Sequence, residues 1–376
     1  MRGNVTYDAI VVGLGASGSA AAYHLARRGR KVLGLERFGP LHDRGSSHGH
    51  TRIIRLAYFE HPDYVPLLRR AYELWEALAR ESGQGLLRIC GGLMVGPPDG
   101  LLVSGSRHSA LLHDLPHELL TPEEVNRRFP AVCLEEGEVA LYEPQAGILF
   151  PEACIEAHLR GAVAHGAELH FEEPLVRWEA REGRVLVRTP RGPYEAEALV
   201  VTAGAWIGRI LADLHLPLVV ERQVVFWFTP RTPELFGPER LPIFLWEVPD
   251  GFFYGIPAIG GRGVKVARHH GGELTDPDHV RPPRPEEAAW LIGYLERRLP
   301  HAAGSIEGMV TCLYTNTPDE HFIIDRHPAH PNVVFASACS GHGFKFTAAV
   351  GQILAELVTD GRTDLSIGFL SLRRFL

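Results

Sequence analysis

The sequence predicts a two-domain protein of α/β plus α+β class, in which a Rossmann-like nucleotide-binding unit is interleaved with a domain built on an antiparallel sheet. Three observations carry this. A G-x-G-x-x-G set stands between a short apolar run and a helical pattern at the start of the chain. Residues 223–266 alternate apolar and polar side chains at the period of an antiparallel sheet. Residues 308–346 then supply two more strand patterns and a glycine-flanked helix start, SGHGFKF.

The first unit opens with DAIVV (8–12), GLGASG, a helical pattern from Ser17 to Arg28, Gly29 as a stop, and a second strand, Lys31 to Leu35. Gly13, Gly15 and Gly18 permit a tight turn, close approach of the backbone to a pyrophosphate, and helix-to-sheet packing. Glu36, 18 residues beyond Gly18, is placed to accept from a ribose hydroxyl.

The chain then enters a glycine- and serine-rich loop that carries His48, His50, Thr51, Arg52 and Arg55. RIIR sets two cations three residues apart. A helix from Thr51 onward would put them on one face, and their guanidinium groups suit a carboxylate or the cofactor. Residues 63–81 read as an amphipathic helix. Residues 91–150 read as short strands with one helix, capped by Thr121 in TPEEVNRRF. A helix follows over 151–165, then a meander with turns at Glu182-Gly183 and Arg191-Gly192.

In the sheet region VKVARHH places Lys265, Ala267 and His269 on one face, with Tyr254 available to line the same pocket. Residues 285–299 form a closing helix. The predicted division gives residues 1–86, 148–218 and 307–376 to the nucleotide-binding domain and 87–147 and 219–306 to the substrate domain.

Composition narrows the partners. With 376 residues, 45% hydrophobic content, a net charge of −7 and no Lys/Arg block of five or more, neither nucleic acid nor a membrane is an expected partner. Small molecules are. Five widely spaced cysteines without a CxxC pair predict neither a disulfide framework nor a metal site. A strand pattern that starts by residue 7 leaves no room for a secretory leader, so a cytoplasmic protein is expected.

Cation usage is uneven: 3 Lys stand against 35 Arg. Positions that need a compact point charge of adjustable pKa reject Arg, which singles out Lys265 and Lys345. Lys345 lies in SGHGFKF, where Gly341, Gly343 and Phe344 open a helix whose free N–H groups favour an anion.

HGHTRIIRLAY, CLYTNTPDEHFIID and SGHGFKF together resemble the monomeric sarcosine oxidase family, which includes N-methyltryptophan oxidase, within the D-amino acid oxidase-like flavoproteins. The resemblance runs from GLGASG to the final helix. It implies FAD in a glutathione reductase-type domain, tethered through its 8α-methyl group to the sulfur of Cys312 as an 8α-S-cysteinyl link. It also implies that Arg55 and Lys345 hold the substrate carboxylate, that Lys265 and Arg52 serve dioxygen reduction, and that Tyr254, His269 and Tyr314 line the amine pocket. His50 departs from the family's HGDTRIIR, where an acid stands, and Leu245 is near a position that often has a longer side chain. Cys339 is an extra thiol near the expected flavin edge.

The implied reaction is oxidation of an N-methyl amino acid such as sarcosine to the demethylated amino acid, formaldehyde and hydrogen peroxide, by a monomer. Three alternatives stay open: an oxidase of N-methyltryptophan, pipecolate or glycine type, a dehydrogenase that passes electrons to a carrier protein, and a binding module without turnover.

Overall fold

The computed structural model describes residues 6–376. The strand Thr6–Val12 is fully apolar over its second half and lies at the centre of a parallel sheet. The strands run in the order Glu168–His170, Val32–Leu35, Thr6–Val12, Gly192–Val201 and His330–Ser337. An antiparallel hairpin, Arg177–Arg181 with Arg184–Thr189, extends it, joined through Glu182 and Gly183, both at positive φ. The helix Ala16–Arg27 packs between Pro151–Ala164 and Thr347–Thr359. Small residues allow this: a Cβ at Gly351 would come 2.6 Å from the carbonyl carbon of Ala20.

A second sheet of nine strands, counted among the described residues, forms the other layer, with Val219–Thr229 paired to Ser305–Asn316 and to Val264–His269. One face packs on the helix Ala289–Arg298 through Phe226, Phe228, Phe253, Val264 and Val266. The opposite face, with Trp227, Ala267, Cys312 and Tyr314, is turned to the first unit. The alternating pattern of residues 223–266 accounts for these two faces of one sheet.

Three local predictions are corrected. RIIR is not helical: Arg52–Ile54 is a strand in a three-stranded sheet with Gly147–Leu149 and Leu87–Ile89, so Arg52 and Arg55 reach different neighbours. Residues 101–112, read as part of a stretch of strands, form a helix. Its SGS centre has low helix propensity, but Ser106 and Ser109 are buried and Gly105 lets the backbone of Phe59 approach, so packing overrides propensity. Ser305–Asn316 belongs wholly to the second sheet, so the boundary predicted at residue 307 falls inside a strand. The chain crosses back after Asn316. The predicted helix cap holds: Thr121 and Glu124 form a capping box on Pro122–Arg128.

Candidate active site

Between the two sheets lies a cavity of about 1000 Å³, which runs from the first glycine turn to the helix start at Phe344. Gly13, at φ +87°, turns under the backbone of Thr202, where a Cβ would come 2.6 Å from the carbonyl oxygen. Gly18 sits behind the cavity, because a Cβ there would be driven into the carbonyl of Gly13; its part is to seat the helix on the strand. Gly15 caps the helix without a side-chain acceptor, and a Cβ there would meet Ser47 Oγ at 3.5 Å, an ordinary contact. Glu36 lines the cavity and accepts from the backbone N–H groups of Leu14 (2.8 Å) and Phe38 (3.0 Å), tying the two turns together. Burial raises its carboxyl, but hydrogen bonds from His42 and those two N–H groups outweigh this and hold it below the usual range.

These features fit FAD. Thr315 Oγ1 and Ser337 Oγ, on two cavity-lining residues, are buried without a protein partner, as are His48 Nε2 and Thr51 Oγ1 in the adjoining loop. Buried polar atoms of this kind are the sort that a polar ligand satisfies.

Cys312 projects from Ser305–Asn316 into the cavity, 6% exposed, with Arg52 Nη2 at 3.9 Å from its sulfur. Burial pushes the thiol up while the Arg52 charge opposes. Arg52 also donates to the carbonyls of Thr51 (2.9 Å) and Ser46 (2.8 Å). Lys265 shares a strand face with His269 but lies behind the 49–51 turn rather than on the cavity wall, donating to the carbonyls of Gly49 (2.9 Å) and Thr51 (2.6 Å). Burial first, and Arg52 second, hold its pKa well below that of an ordinary lysine.

At the other end, Arg55 and Lys345 both line the cavity and both are buried. Arg55 donates to the carbonyl of Ala57 (2.7 Å) and to Glu60, and stacks on the ring of Tyr58 at 4.3 Å. Lys345 donates to the carbonyl of His342 (2.7 Å) and, at 3.4 Å, to the hydroxyl of Tyr58. His342 Nε2 faces the carbonyl of Glu320 at 2.9 Å, so the ring proton resides there and Nδ1 accepts from Tyr58 Oη at 2.6 Å. Burial, with Arg55 beside it, lowers Lys345 to about 7.

Tyr254, His269 and Tyr314 form the wall between these groups, with His269 Nδ1 3.4 Å from Tyr314 Oη. Burial raises both tyrosines, and burial with His270 nearby keeps His269 well below its usual value. All three are neutral near pH 7, so the wall offers no anionic base. Gly341 has φ +78°, and a Cβ there would come 2.5 Å from the Tyr314 ring.

Of the residues singled out in the sequence, Gly13, Gly15, Glu36, Arg52, Arg55, Tyr254, His269, Cys312, Tyr314, Gly341, Gly343, Phe344 and Lys345 line this one cavity. Gly18, Thr51 and Lys265 stand behind its wall. Sequence reasoning passed over Glu60, Tyr58 and Glu152. An acid five residues after a candidate anion-binding arginine, as in RLAYFE, was a usable signal for Glu60; Glu152 is brought in from 103 residues away and had none.

The model of the family described as FAD dependent oxidoreductase (DAO) matches residues 8–357. The chain is 49% identical over 375 residues to a monomeric sarcosine oxidase of Streptomyces avermitilis, covering 98% of each chain. It is 35% identical to an N-methyl-L-tryptophan oxidase of Yersinia pestis, over 98% of this chain and 99% of that one. Among solved structures, NikD, an amino acid oxidase of nikkomycin biosynthesis, superposes with a TM-score of 0.86 at 25% identity over 97% of both chains.

Proposed function

From the premise that this chain belongs to the DAO family of FAD-dependent oxidoreductases, we propose that it oxidises N-methyl amino acids, sarcosine among them, with dioxygen as acceptor. The observation that carries this reading is the pair of buried cations, Arg55 and Lys345, at the end of the cavity beyond Cys312. Two buried cations suit a carboxylate, and a carboxylate held there fixes how the rest of an amino acid lies along the Tyr254–Tyr314 wall.

Bound FAD supplies the two-electron acceptor for the C–H bond next to the amine and the route of those electrons to dioxygen. The protein's own part is binding, orientation and charge. Arg55 and Lys345 take the carboxylate, while the neutral His269, Tyr254 and Tyr314 receive the amine without a competing ion pair. The amine therefore reacts in its neutral form. Loss of two electrons and two protons, one of them leaving with the electron pair from the C–H bond and the other from the nitrogen, gives an imine. Water cleaves it, so that one secondary amine, one dioxygen and one water yield the primary amine, formaldehyde and hydrogen peroxide. Lys265 and Arg52 supply positive charge on the side where dioxygen takes up electrons. In this reading the flavin is tethered at Cys312, whose sulfur already faces the cavity beside Arg52.

The reading further takes the protein as a monomer that works in the cytoplasm; among the described residues no helix is long and apolar enough to cross a membrane. The N-substituent preference is assigned to the methyl class. The test is a substrate panel of sarcosine, N-methyl-L-tryptophan, L-pipecolate and glycine, followed by oxygen uptake and peroxide formation. Sarcosine should support both at the highest kcat/KM. Reduction of the flavin by substrate with no oxygen uptake would instead assign a dehydrogenase.

A further inference from the structure

The turn Gly49–His50 has two successive residues at positive φ, +101° and +65°. The second is a histidine, in a conformation that a side-chain-bearing residue holds only when its surroundings over-determine it. Glu152 provides that determination. One of its oxygens accepts from both backbone N–H groups of the turn, Gly49 at 2.7 Å and His50 at 3.0 Å. The carbonyls of Gly49 and Thr51 point the other way and take two of the three N–H groups of the Lys265 ammonium. The Thr51 carbonyl also accepts from Arg52 Nη1, and the Gly49 carbonyl accepts the Thr51 N–H at 2.8 Å, closing the turn.

The two anchors of this chain of bonds belong to different layers. Glu152 lies in the first turn of the helix Pro151–Ala164, which packs against Ala16–Arg27 on the parallel sheet, while Lys265 belongs to the nine-stranded sheet. Burial raises the Glu152 carboxyl, but the N–H groups of His50, of its own residue and of Gly49, with the Arg52 charge, keep it below the usual range. We propose that Glu152 is a positioning residue for the Lys265–Arg52 pair: by clamping the Gly49–His50 turn it aims the two carbonyls that hold the lysine ammonium against the dinucleotide-binding layer. This rests on the reading of Lys265 and Arg52 as the charges that serve dioxygen.

The test uses the holoenzyme variants Glu152→Ala, Glu152→Gln and Lys265→Met, each measured two ways. Hydrogen exchange of the peptide over residues 46–52 reads the clamp without reference to turnover, and stopped-flow separates flavin reduction by substrate from reoxidation by dioxygen. Glu152→Ala should expose the amides of Gly49 and His50 to exchange and slow reoxidation about tenfold or more, with reduction much less affected, because a misplaced charge costs the step that uses it. Glu152→Gln keeps an acceptor oxygen and should fall between this variant and the parent in both readings. Unchanged exchange in Glu152→Ala overturns the clamp. Raised exchange with normal reoxidation, in a protein where Lys265→Met is slow, overturns the positioning role. If Lys265→Met itself reoxidises normally, the reading of Lys265 fails, and the exchange data still decide whether Glu152 holds the turn.

Discussion

Arg55 and Glu60 form a buried ion pair in which one guanidinium nitrogen lies 2.8 and 2.7 Å from the two carboxylate oxygens. Burial would raise the Glu60 carboxyl, but the Arg55 charge, with Lys345 nearby, outweighs it and keeps it ionised. A substrate carboxylate that reaches for Arg55 therefore meets an internal competitor of the same chemistry. Breaking a buried pair leaves an uncompensated charge, at about 3–5 kcal/mol.

Glu60→Gln should lower the melting temperature of the ligand-free enzyme and enlarge the stabilisation given by a simple carboxylate ligand, because that ligand now supplies the missing charge. Thermal unfolding with and without the ligand measures both. A smaller ligand effect would mean that Glu60 holds Arg55 in its binding geometry rather than competing for it.

Lys345 gives a pH dependence whose sign follows from its surroundings. Burial and the neighbouring Arg55 lower it to about 7, Glu60 opposes, and Arg52 adds to the lowering. A bound carboxylate favours the protonated form, so binding should be strongest below about pH 7 and weaken as pH rises through that value, with proton uptake on binding. Dissociation constants of an aliphatic carboxylate without an amine, measured across pH 6–9, test this. Lys345→Met should remove the dependence and raise KM for amino acids by a charge-assisted hydrogen bond, about 1.5–3 kcal/mol, while sparing an uncharged amine. Equal loss on both substrate kinds would indicate a collapsed pocket.

How much of this was legible in the sequence depends on the distance over which each part is encoded. The glycine turn, Glu36 and the capping box at Thr121 are set by neighbours within one strand–turn–helix or one turn, and they stand where the spacing put them. The pairing of Arg55 with Lys345 could not be read from local pattern, since 290 residues separate them; the uneven use of lysine pointed to one and RIIR to the other. The backbone of RIIR itself was misread as helical. Its strand is fixed from outside, by pairing with Gly147–Leu149 and by Glu143, whose carboxylate accepts from Leu56 (2.7 Å) and Ala57 (2.8 Å). Carboxylates that grip a turn from another part of the chain leave no period in the sequence.

Cys312 and Cys339 are the two thiols on the cavity. Cys339 is engaged with its own neighbourhood, accepting from the Thr315 N–H at 3.4 Å, whereas Cys312 has a guanidinium at 3.9 Å that favours the thiolate. Cys312→Ser should therefore release flavin on acid precipitation and Cys339→Ser should retain it. Mass spectrometry of the flavin-bearing peptide identifies the attachment directly. Flavin that stays with the acid-precipitated Cys312→Ser protein would place the link elsewhere.

Lys265 allows the two half-reactions to be separated. Its ammonium is held by the carbonyls of Gly49 and Thr51, with Arg52 bonded to the second of these, so two positive charges meet around one oxygen. Burial and Arg52 depress its pKa, and negative charge developing on dioxygen would raise it again. The protonated lysine is then worth most in the oxygen step and little in the step that takes a hydride equivalent from the amino acid. Lys265→Met should slow reoxidation far more than reduction in stopped-flow measurements made separately on each half. In the parent enzyme the reoxidation rate should fall as pH rises and the lysine loses its proton, and that limb should vanish in Lys265→Met. Lys265→Arg should restore only part of the rate, because a planar guanidinium spreads its charge and cannot meet two converging carbonyls as a point charge does. If reduction and reoxidation slow equally in Lys265→Met, the lysine supports the layers of the site rather than the chemistry of dioxygen.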